Sequence, residues 1–507
     1  AVEADASVRA TLCESLGRLP YGDAAEVGTA ERALVGFAAR ALGNTDRLGL
    51  AKGLEALVRV HRALKAPDEA TVDVLKRLAR TQRDDAEALR DARVRRLALE
   101  ALTLIDAVDP PLAVAAASDP DAQTRRLGVR AAATLEGADA AIARGVTDPA
   151  PMVRIEALRS LRTRQGDQAC ATWLAATTDP EAAVALVAVD QLATCGAHAE
   201  SLAYLASSVA DPADADLLRN WHRTAHALVA LAQADPEAAR APLARLARAH
   251  TWQLRLYAVR AAAALKDRPL LETLVHDPHA NVVEAAVLAL SPLAGHDADA
   301  HYLAALSVTE FHTQRAAAMA LARSPATATV VPALRDALAR LDADTRPGAV
   351  DARAALRAAL TSLGENLRPA KPLPQPAAPL TSADLRRLAA PRARVIMKDV
   401  GTFELALFTM EAPATVLRFV QLAESGYYNG LTFHRLVPNG IIQGGSPGAN
   451  EFSSEVPLMR DEVGLWPHVR GAVGISTRGR DTGDGQIFVD LVDTRATTTP
   501  TRCSRRC

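Results

Sequence analysis

Aromatic side chains are scarce in this chain, with Phe, Trp and Tyr together making up 4% of its 507 residues. A core built on large rings is thereby excluded over most of its length. Ala, Leu, Val and Arg dominate instead, which favours helices packed through small side chains. An excess of charge is missing too. Lys and Arg total 58 against 59 Asp and Glu, a balance of −1, so nothing global attracts nucleic acid or an anionic membrane surface. No apolar run approaches the length of a membrane span. Cysteines are few, and Cys13, Cys170, Cys195, Cys503 and Cys507 lack the paired spacing of a metal site. Cys170 and Cys195 fall in apolar helical patterns, where a small buried hydrophobe is the expected role. None has the setting of a nucleophile. The chain begins at Ala1 with no signal-peptide pattern. It therefore reads as a processed chain or a fragment, and its compartment, cytoplasmic or periplasmic, stays open.

A chain of this length exceeds one core and should split into at least two domains. From Ala1 to about Gly364 the pattern is helical, and a unit recurs at Asp119-Pro120, Asp148-Pro149, Asp179-Pro180, Asp211-Pro212 and Asp277-Pro278. The first four are 29, 31 and 32 residues apart, a period that marks solenoids. Asp is expected to cap each helix, with Pro at the first helical position, where no N–H is needed. After Asp148 come Val153, Arg154, Ala157, Leu158 and Leu161; Val184, Ala188, Val189 and Leu192 hold the matching places after Asp179. Val282, Ala286, Val287 and Leu290 do so after Asp277. Spacings of three and four make one buried stripe per helix. Leu254, Ala258, Val259 and Ala262 read as a copy that has lost its Asp-Pro, as do Gln314, Ala318 and Met319. Before about Thr81 the period is unclear, although Leu54, Leu57, Val58 and Leu64 keep helical spacing. The pattern resembles short HEAT repeats, which implies paired antiparallel helices that bury their stripes only against their neighbours.

Composition changes at Asn366, where Pro369, Pro372, Pro374, Pro376 and Pro379 follow in quick succession. Such a segment forbids helix and reads as an extended spacer, preferred over a ligand for a proline-binding module. A short helix around Asp384–Leu388, capped by Thr381 or Ser382, comes next. Strand alternation begins near Arg394, with Val395, Met397, Phe403, Leu405 and Leu407. The expected layout is a helical array over 1–365, a Pro-rich linker over 366–390 and a mainly β domain over 391–507.

Within that last domain, the stretch from Phe433 to Gly445 alternates aromatic and apolar residues with a cation and an amide. It reads as strand–turn–strand, with Pro438-Asn439-Gly440 as the turn. Residues two apart share a face, so Phe433 should point with Arg435, and Ile441 with Gln443. A guanidinium and a primary amide beside apolar side chains suit a peptide that needs a pocket and a directed hydrogen bond.

Phe433-His434-Arg435 with Pro438, followed by Gln443-Gly444-Gly445, resembles the signature of the cyclophilin-type peptidyl-prolyl isomerases. Flanking pieces agree in order: Ala412-Pro413, Thr415-Val416 and Phe419; Gly426-Tyr427-Tyr428 and Gly430; Asp461-Glu462; Arg470-Gly471, Val473-Gly474; and Gly483, Gly485-Gln486, Phe488. Many matches in one order form a far more specific signal than one short motif. The resemblance covers the chain from roughly Arg392 onward and implies a barrel-like isomerase domain that needs no cofactor and no metal. It implies that Arg435 donates to the prolyl nitrogen and that Gln443 hydrogen-bonds the substrate backbone. Ile441, Phe488 and Phe433 would form or support the proline pocket, with Gln486 beside it. Ser476, Thr477 and Arg478 occupy the stretch whose backbone pairs with substrate. His434 stays outside the chemistry, because rotation requires no proton transfer.

Departures from the family pattern are specific. Gly440 stands where the family usually has a large aromatic flooring the proline pocket, a loss of apolar burial worth about 1–3 kcal/mol. Thr477 and Arg478 replace small or amide residues, and Ile487 replaces an aromatic; each should weaken or reshape proline binding. The family continues after Asp493 with more barrel strands, whereas Thr494–Cys507 carries no apolar alternation. The neighbouring reading frame of GC-rich codons there allows a Val-Phe strand like the family's, so a frame-shifted terminus and an incomplete barrel are expected. Two functions remain open: a folding isomerase tethered to an array that binds protein partners, or a non-catalytic interaction scaffold carrying a degenerate cyclophilin-like domain.

Overall fold

The computed structural model describes residues 3–40, 42–80, 91–210, 214–369, 380–389, 391–454, 456–464 and 466–493. The fourth Asp-Pro, Asp211-Pro212, the prolines from Pro372 to Pro379 and the tail from Thr494 lie outside these residues. Contacts divide the chain into two compact units, Ala1–Ser201 and Leu202–Cys507.

In the first unit, helices Ala92–Thr103, Ala122–Ala132, Pro151–Gln165 and Ala182–Gln191 pack one on the next. Pro110–Ala116, Asp139–Val146 and Cys170–Ala176 form a second layer, each against the long helix that follows it. The second unit repeats the scheme with Asp214–Ala234, Trp252–Ala264, Ala280–Ala294, Phe311–Leu321 and Ala349–Ser362 as the stacked layer. This is the two-layer stacking of a HEAT-like solenoid, and the expected stripes do the burying. Val153, Ala157, Leu158 and Leu161 are all at most 4% exposed, as are Val282, Ala286, Val287 and Leu290. Small residues set the spacing. Gly53 lies where a Cβ would come within 2.3 Å of the Cys13 carbonyl oxygen, so helices Ala6–Arg18 and Asn44–His61 approach backbone to backbone. Two register details differ from expectation. Met319 is exposed, and Ala317 and Leu321 take the buried places; Leu64 lies past the end of its helix, in solvent.

The Asp-Pro motif works differently from a helix cap. The helices start three residues later, at Ala122, Pro151, Ala182 and Ala280. Each Asp carboxylate instead accepts the backbone N–H two residues on, at 2.9 Å for Asp121, 2.8 Å for Ala150, 2.9 Å for Glu181 and 2.8 Å for His279. That is an Asx turn. The same carboxylates take a bidentate guanidinium from the preceding stacked helix: Arg95 to Asp119, Arg125 to Asp148, Arg154 to Asp179 and Arg255 to Asp277. Arg125 and Arg154 also donate to the carbonyls of their own Asp-Pro. The motif thus links one repeat to the next.

Cys170 and Cys195, expected as separate buried hydrophobes, form a disulfide across 25 residues with their Cα atoms 5.8 Å apart. Packing of helix Cys170–Ala176 on Ala182–Gln191 brings them together, a tertiary fact that sequence spacing does not carry.

After the stacked helices, the Thr381 hydroxyl accepts the Asp384 N–H and opens the short helix Ser382–Arg387 in a capping box. Strands β1 (Arg392–Met397) and β2 (Gly401–Ala406) then form an antiparallel hairpin. Helix Pro413–Glu424 follows, and its first N–H groups at Ala414 and Thr415, which have no partner within the helix, are satisfied by the Glu462 carboxylate at 3.0 and 2.6 Å. Strands β3 (Arg435–Leu436), β4 (Ile441–Gly444), β5 (Val473–Ile475) and β6 (Ile487–Asp490) make a second antiparallel sheet in the order β3-β4-β6-β5. Leu405 of β2, Phe419 of the helix and Ile487 of β6 form one shared core, with Phe403, Leu407, Tyr428 and Ile475 packed around them. Among the described residues the two sheets do not close into a barrel.

Candidate functional site

The hairpin expected from the alternation is present. Asn439 turns in the left-handed region at φ 56°, the Gly440 N–H donates to the Val437 carbonyl at 2.9 Å, and the Val437 N–H donates to Ile441 at 2.8 Å. Its register sets Arg435 directly across from Gln443, and the next pairing sets Gln443 across from Phe488. One row therefore crosses three strands: guanidinium, amide, aromatic ring. Side chains knit the row. Arg435 Nη1 donates to Gln443 Oε1 at 3.1 Å, and Gln443 Nε2 donates to Gln486 Oε1 at 3.1 Å. Gln443 and Gln486 are 2% and 1% exposed, so their orientations are held by partners rather than by water. The Arg435 side chain keeps 31% of its surface exposed.

The other expected residues take separate places. Ile441 lies two residues before Gln443 on β4, on the same face and half-buried. Phe433 precedes β3, and its ring lies where a Cβ on Gly444 would come within 2.9 Å of Cδ1. Gly444 faces the side of β4 opposite Gln443, so Phe433 supports the hairpin from behind instead of sharing a face with Arg435; the alternation does not extend past the start of β3. Ser476 and Thr477 are half-buried just beyond β5. The Ser476 N–H is already donated to the Gln486 carbonyl at 2.8 Å, and the Arg478 N–H to Thr482 Oγ1 at 2.8 Å. Ile487 points into the core, so its replacement of an aromatic bears on packing and not on the site face.

Several residues that the sequence did not single out complete the site. Glu451 places its carboxylate 2.7 Å from Arg435 Nη1. Buried Asp484 accepts from Arg478 Nη1 at 3.0 Å. His468 stacks on Phe488 with ring centroids 5.6 Å apart and planes 16° from parallel, and its Nδ1 lies 3.0 Å from Asp490 Oδ2. Gly474 makes room for that ring, since a Cβ there would lie 2.7 Å from Phe488 Cζ. Burial and the neighbouring Arg435 charge push the His434 imidazole down to about 4, which leaves it neutral at neutral pH. Arg478 is shifted upward: burial opposes its charge, but Asp351 and Asp484 more than offset that.

Residues 393–499 match the profile of the cyclophilin type peptidyl-prolyl cis-trans isomerase/CLD family. The peptidyl-prolyl cis-trans isomerase of Helicobacter pylori strain J99 is 36% identical over 119 residues, which are 23% of this chain and 74% of that protein. Peptidyl-prolyl cis-trans isomerase B of Bacillus subtilis strain 168 is 35% identical over 96 residues, 18% of this chain and 67% of that one. The chain belongs to the cyclophilin-type peptidyl-prolyl cis-trans isomerase family. The relatives align with its cyclophilin domain and leave the helical array uncovered. Among solved structures, the Kap95:Nup1 complex covers 70% of this chain and 57% of its own at 12% identity and a TM-score of 0.40. Kap121p bound to Nup53p covers 71% and 45% at 14% identity and a TM-score of 0.33. The repeat architecture accordingly rests on the helix stacking within this chain. No helix among the described residues is long and apolar enough to cross a membrane.

Proposed function

We propose that the cyclophilin domain is a peptidyl-prolyl cis-trans isomerase acting on proline-containing polypeptides, and that the helical array holds the protein partners on which it works, in the manner of a folding assistant. The observation that carries this reading is the fixed row of Arg435, Gln443 and Gln486 with the Arg435 guanidinium still reaching solvent. Amide resonance sets a barrier of ~18–20 kcal/mol to rotation about the peptide C–N bond, and Xaa-Pro is the bond whose two isomers are close in energy yet exchange slowly. As the amide twists, the prolyl nitrogen regains its lone pair. A donor aimed at that atom stabilises the twisted state more than either planar state. Arginine is always charged and presents several rigid donors. In this proposal Arg435 is the donor, Gln443 binds the substrate backbone, and Ile441 and Phe488 receive the proline ring, with His468 backing Phe488.

A second reading, binding of proline segments without turnover, is favoured by Gly440, which offers no side chain to floor the pocket. The two separate on exchange of a short Xaa-Pro peptide, measured with the full chain beside Arg435→Ala. Acceleration that falls at least a hundredfold in the variant is expected. A parental chain that binds the peptide but leaves its exchange at the spontaneous rate would establish the second reading.

A further inference from the structure

The loop after β4 touches the helical array with one side and Arg435 with the other. On the array side, Asn281 Nδ2 donates to the Gly448 carbonyl at 3.0 Å, and Asn450 Nδ2 donates to Asn281 Oδ1 at 3.0 Å. The Arg315 guanidinium lies 4.1 Å from the centroid of the Phe452 ring. Gly348 is close beneath the loop, where a Cβ would lie 3.1 Å from the Ser454 carbonyl oxygen. These residues come from helices Ala280–Ala294 and Phe311–Leu321 and from the turn before Ala349–Ser362.

A chain of polar contacts crosses from there to the site. Asp351, on helix Ala349–Ser362, accepts from Arg478 Nε at 2.8 Å. Arg478 Nη1 donates to the Glu451 carbonyl at 2.5 Å, and Gln486 Nε2 donates to that same carbonyl at 3.0 Å. The Glu451 carboxylate reaches Arg435 Nη1 at 2.7 Å. The Arg478 side chain is only 10% exposed, so its position depends on the carboxylates it faces and not on water. Removal of Asp351 would leave Arg478 Nε without the array carboxylate it faces and Asp484 as the carboxylate still bound to Nη1, so the array would no longer fix the guanidinium that carries the Glu451 carbonyl.

We propose that the helical array supplies positioning residues to the isomerase site: Asn281 and Asp351 hold the Gly448–Phe452 segment so that Glu451 fixes the Arg435 guanidinium against Gln443. The proposal rests on the isomerase reading above. A guanidinium that must meet a nitrogen only in the twisted state gains from being held in advance, and a small displacement is felt in turnover more than in binding.

The test uses the full chain and a short Xaa-Pro peptide. Asp351→Asn is expected to lower kcat about fivefold to tenfold with KM nearly unchanged, and Asp351→Glu to restore most of the loss. Glu451→Gln should cost at least as much, and the Asp351→Asn/Glu451→Gln pair no more than Glu451→Gln alone, because both act through one contact chain. An independent readout is the Nε–Hε cross-peak of Arg435 in arginine-labelled protein without peptide, identified by its loss in Arg435→Lys. It should shift in Asp351→Asn. A parental kcat in Asp351→Asn overturns the proposal, whether or not the cross-peak moves. If the parental chain gives no exchange at all, the isomerase reading fails instead. The cross-peak then decides the contact chain by itself: a shift upholds it and an unmoved peak overturns it.

Discussion

Glu284 and His434 are both moved from their ordinary titration by burial, and each therefore tends to stay neutral. For Glu284, beneath the docked loop, burial pushes the carboxyl up to about 7, with Arg315 opposing and Glu451 reinforcing. The consequence for stability has a definite sign. Below its ordinary value of 4.5 the group is protonated both folded and unfolded. Between there and about 7 the unfolded chain ionises first, so the native state binds more protons and stability falls as pH rises. Glu284→Gln should therefore unfold at a higher temperature than the parent at pH 8 and at a similar one at pH 4. A difference independent of pH would show that Glu284 acts only through packing. At the site itself, Gly474 is required for space. Gly474→Ala would set a methyl group 2.7 Å from Phe488 Cζ, and overpacking of this kind costs ~1–3 kcal/mol. Titration with a proline peptide should give an affinity about tenfold weaker, whereas an unchanged affinity would mean that Phe488 does not receive the ring.

Among the elements, the stacked helices are joined by arginine–aspartate links as well as by apolar stripes. The Arg95–Asp119 pair is the most enclosed, with side chains 2% and 1% exposed and two hydrogen bonds of 2.6 and 2.8 Å. Such a pair contributes little over an apolar match, yet removing one partner strands a buried charge. Arg95→Ala should therefore cost ~3–5 kcal/mol in urea unfolding, and replacing both partners by well-packed apolar residues should cost much less. The disulfide is a second tie within the same unit. It closes a loop of 25 residues, and removing a cross-link of this span costs about 3 kcal/mol, largely by freeing the unfolded chain. A reductant, or Cys170→Ser with Cys195→Ser, should lower the thermal midpoint of the chain; equal midpoints would indicate that the thiols are not joined in solution.

Across the whole molecule, the parts legible in the sequence are those in which one local pattern is repeated or alternates. Val153, Ala157, Leu158 and Leu161 announce a buried stripe because three- and four-residue spacing puts them on one helical face. The hairpin carrying Arg435 and Gln443 is equally local, since a two-residue period and a Pro-Asn-Gly turn settle its register. The Asp-Pro motif was visible, but its work was not. The interrepeat links join an Arg to an Asp 22 to 25 residues later, as in Arg125 with Asp148, Arg154 with Asp179 and Arg255 with Asp277, a separation that follows from the repeat length and not from any local motif. A helix cap accounts for the same dipeptide, so the dipeptide alone does not name the guanidinium it meets.

What the sequence by itself determined is thus the class of each domain, the recurring helical unit and the identity of the residues in the candidate row. Tertiary structure alone decided which carboxylate meets which guanidinium. Cys170 finds Cys195 through a helix packing, Phe433 turns behind its strand because the approach to β3 is irregular, and Glu451 meets Arg435 through a loop seated on Asn281, Arg315 and Arg478. Periodicity encodes which face of an element is buried, since that depends on neighbours three, four or two residues away. The partner across that face is encoded nowhere locally, because it depends on how separate elements close-pack.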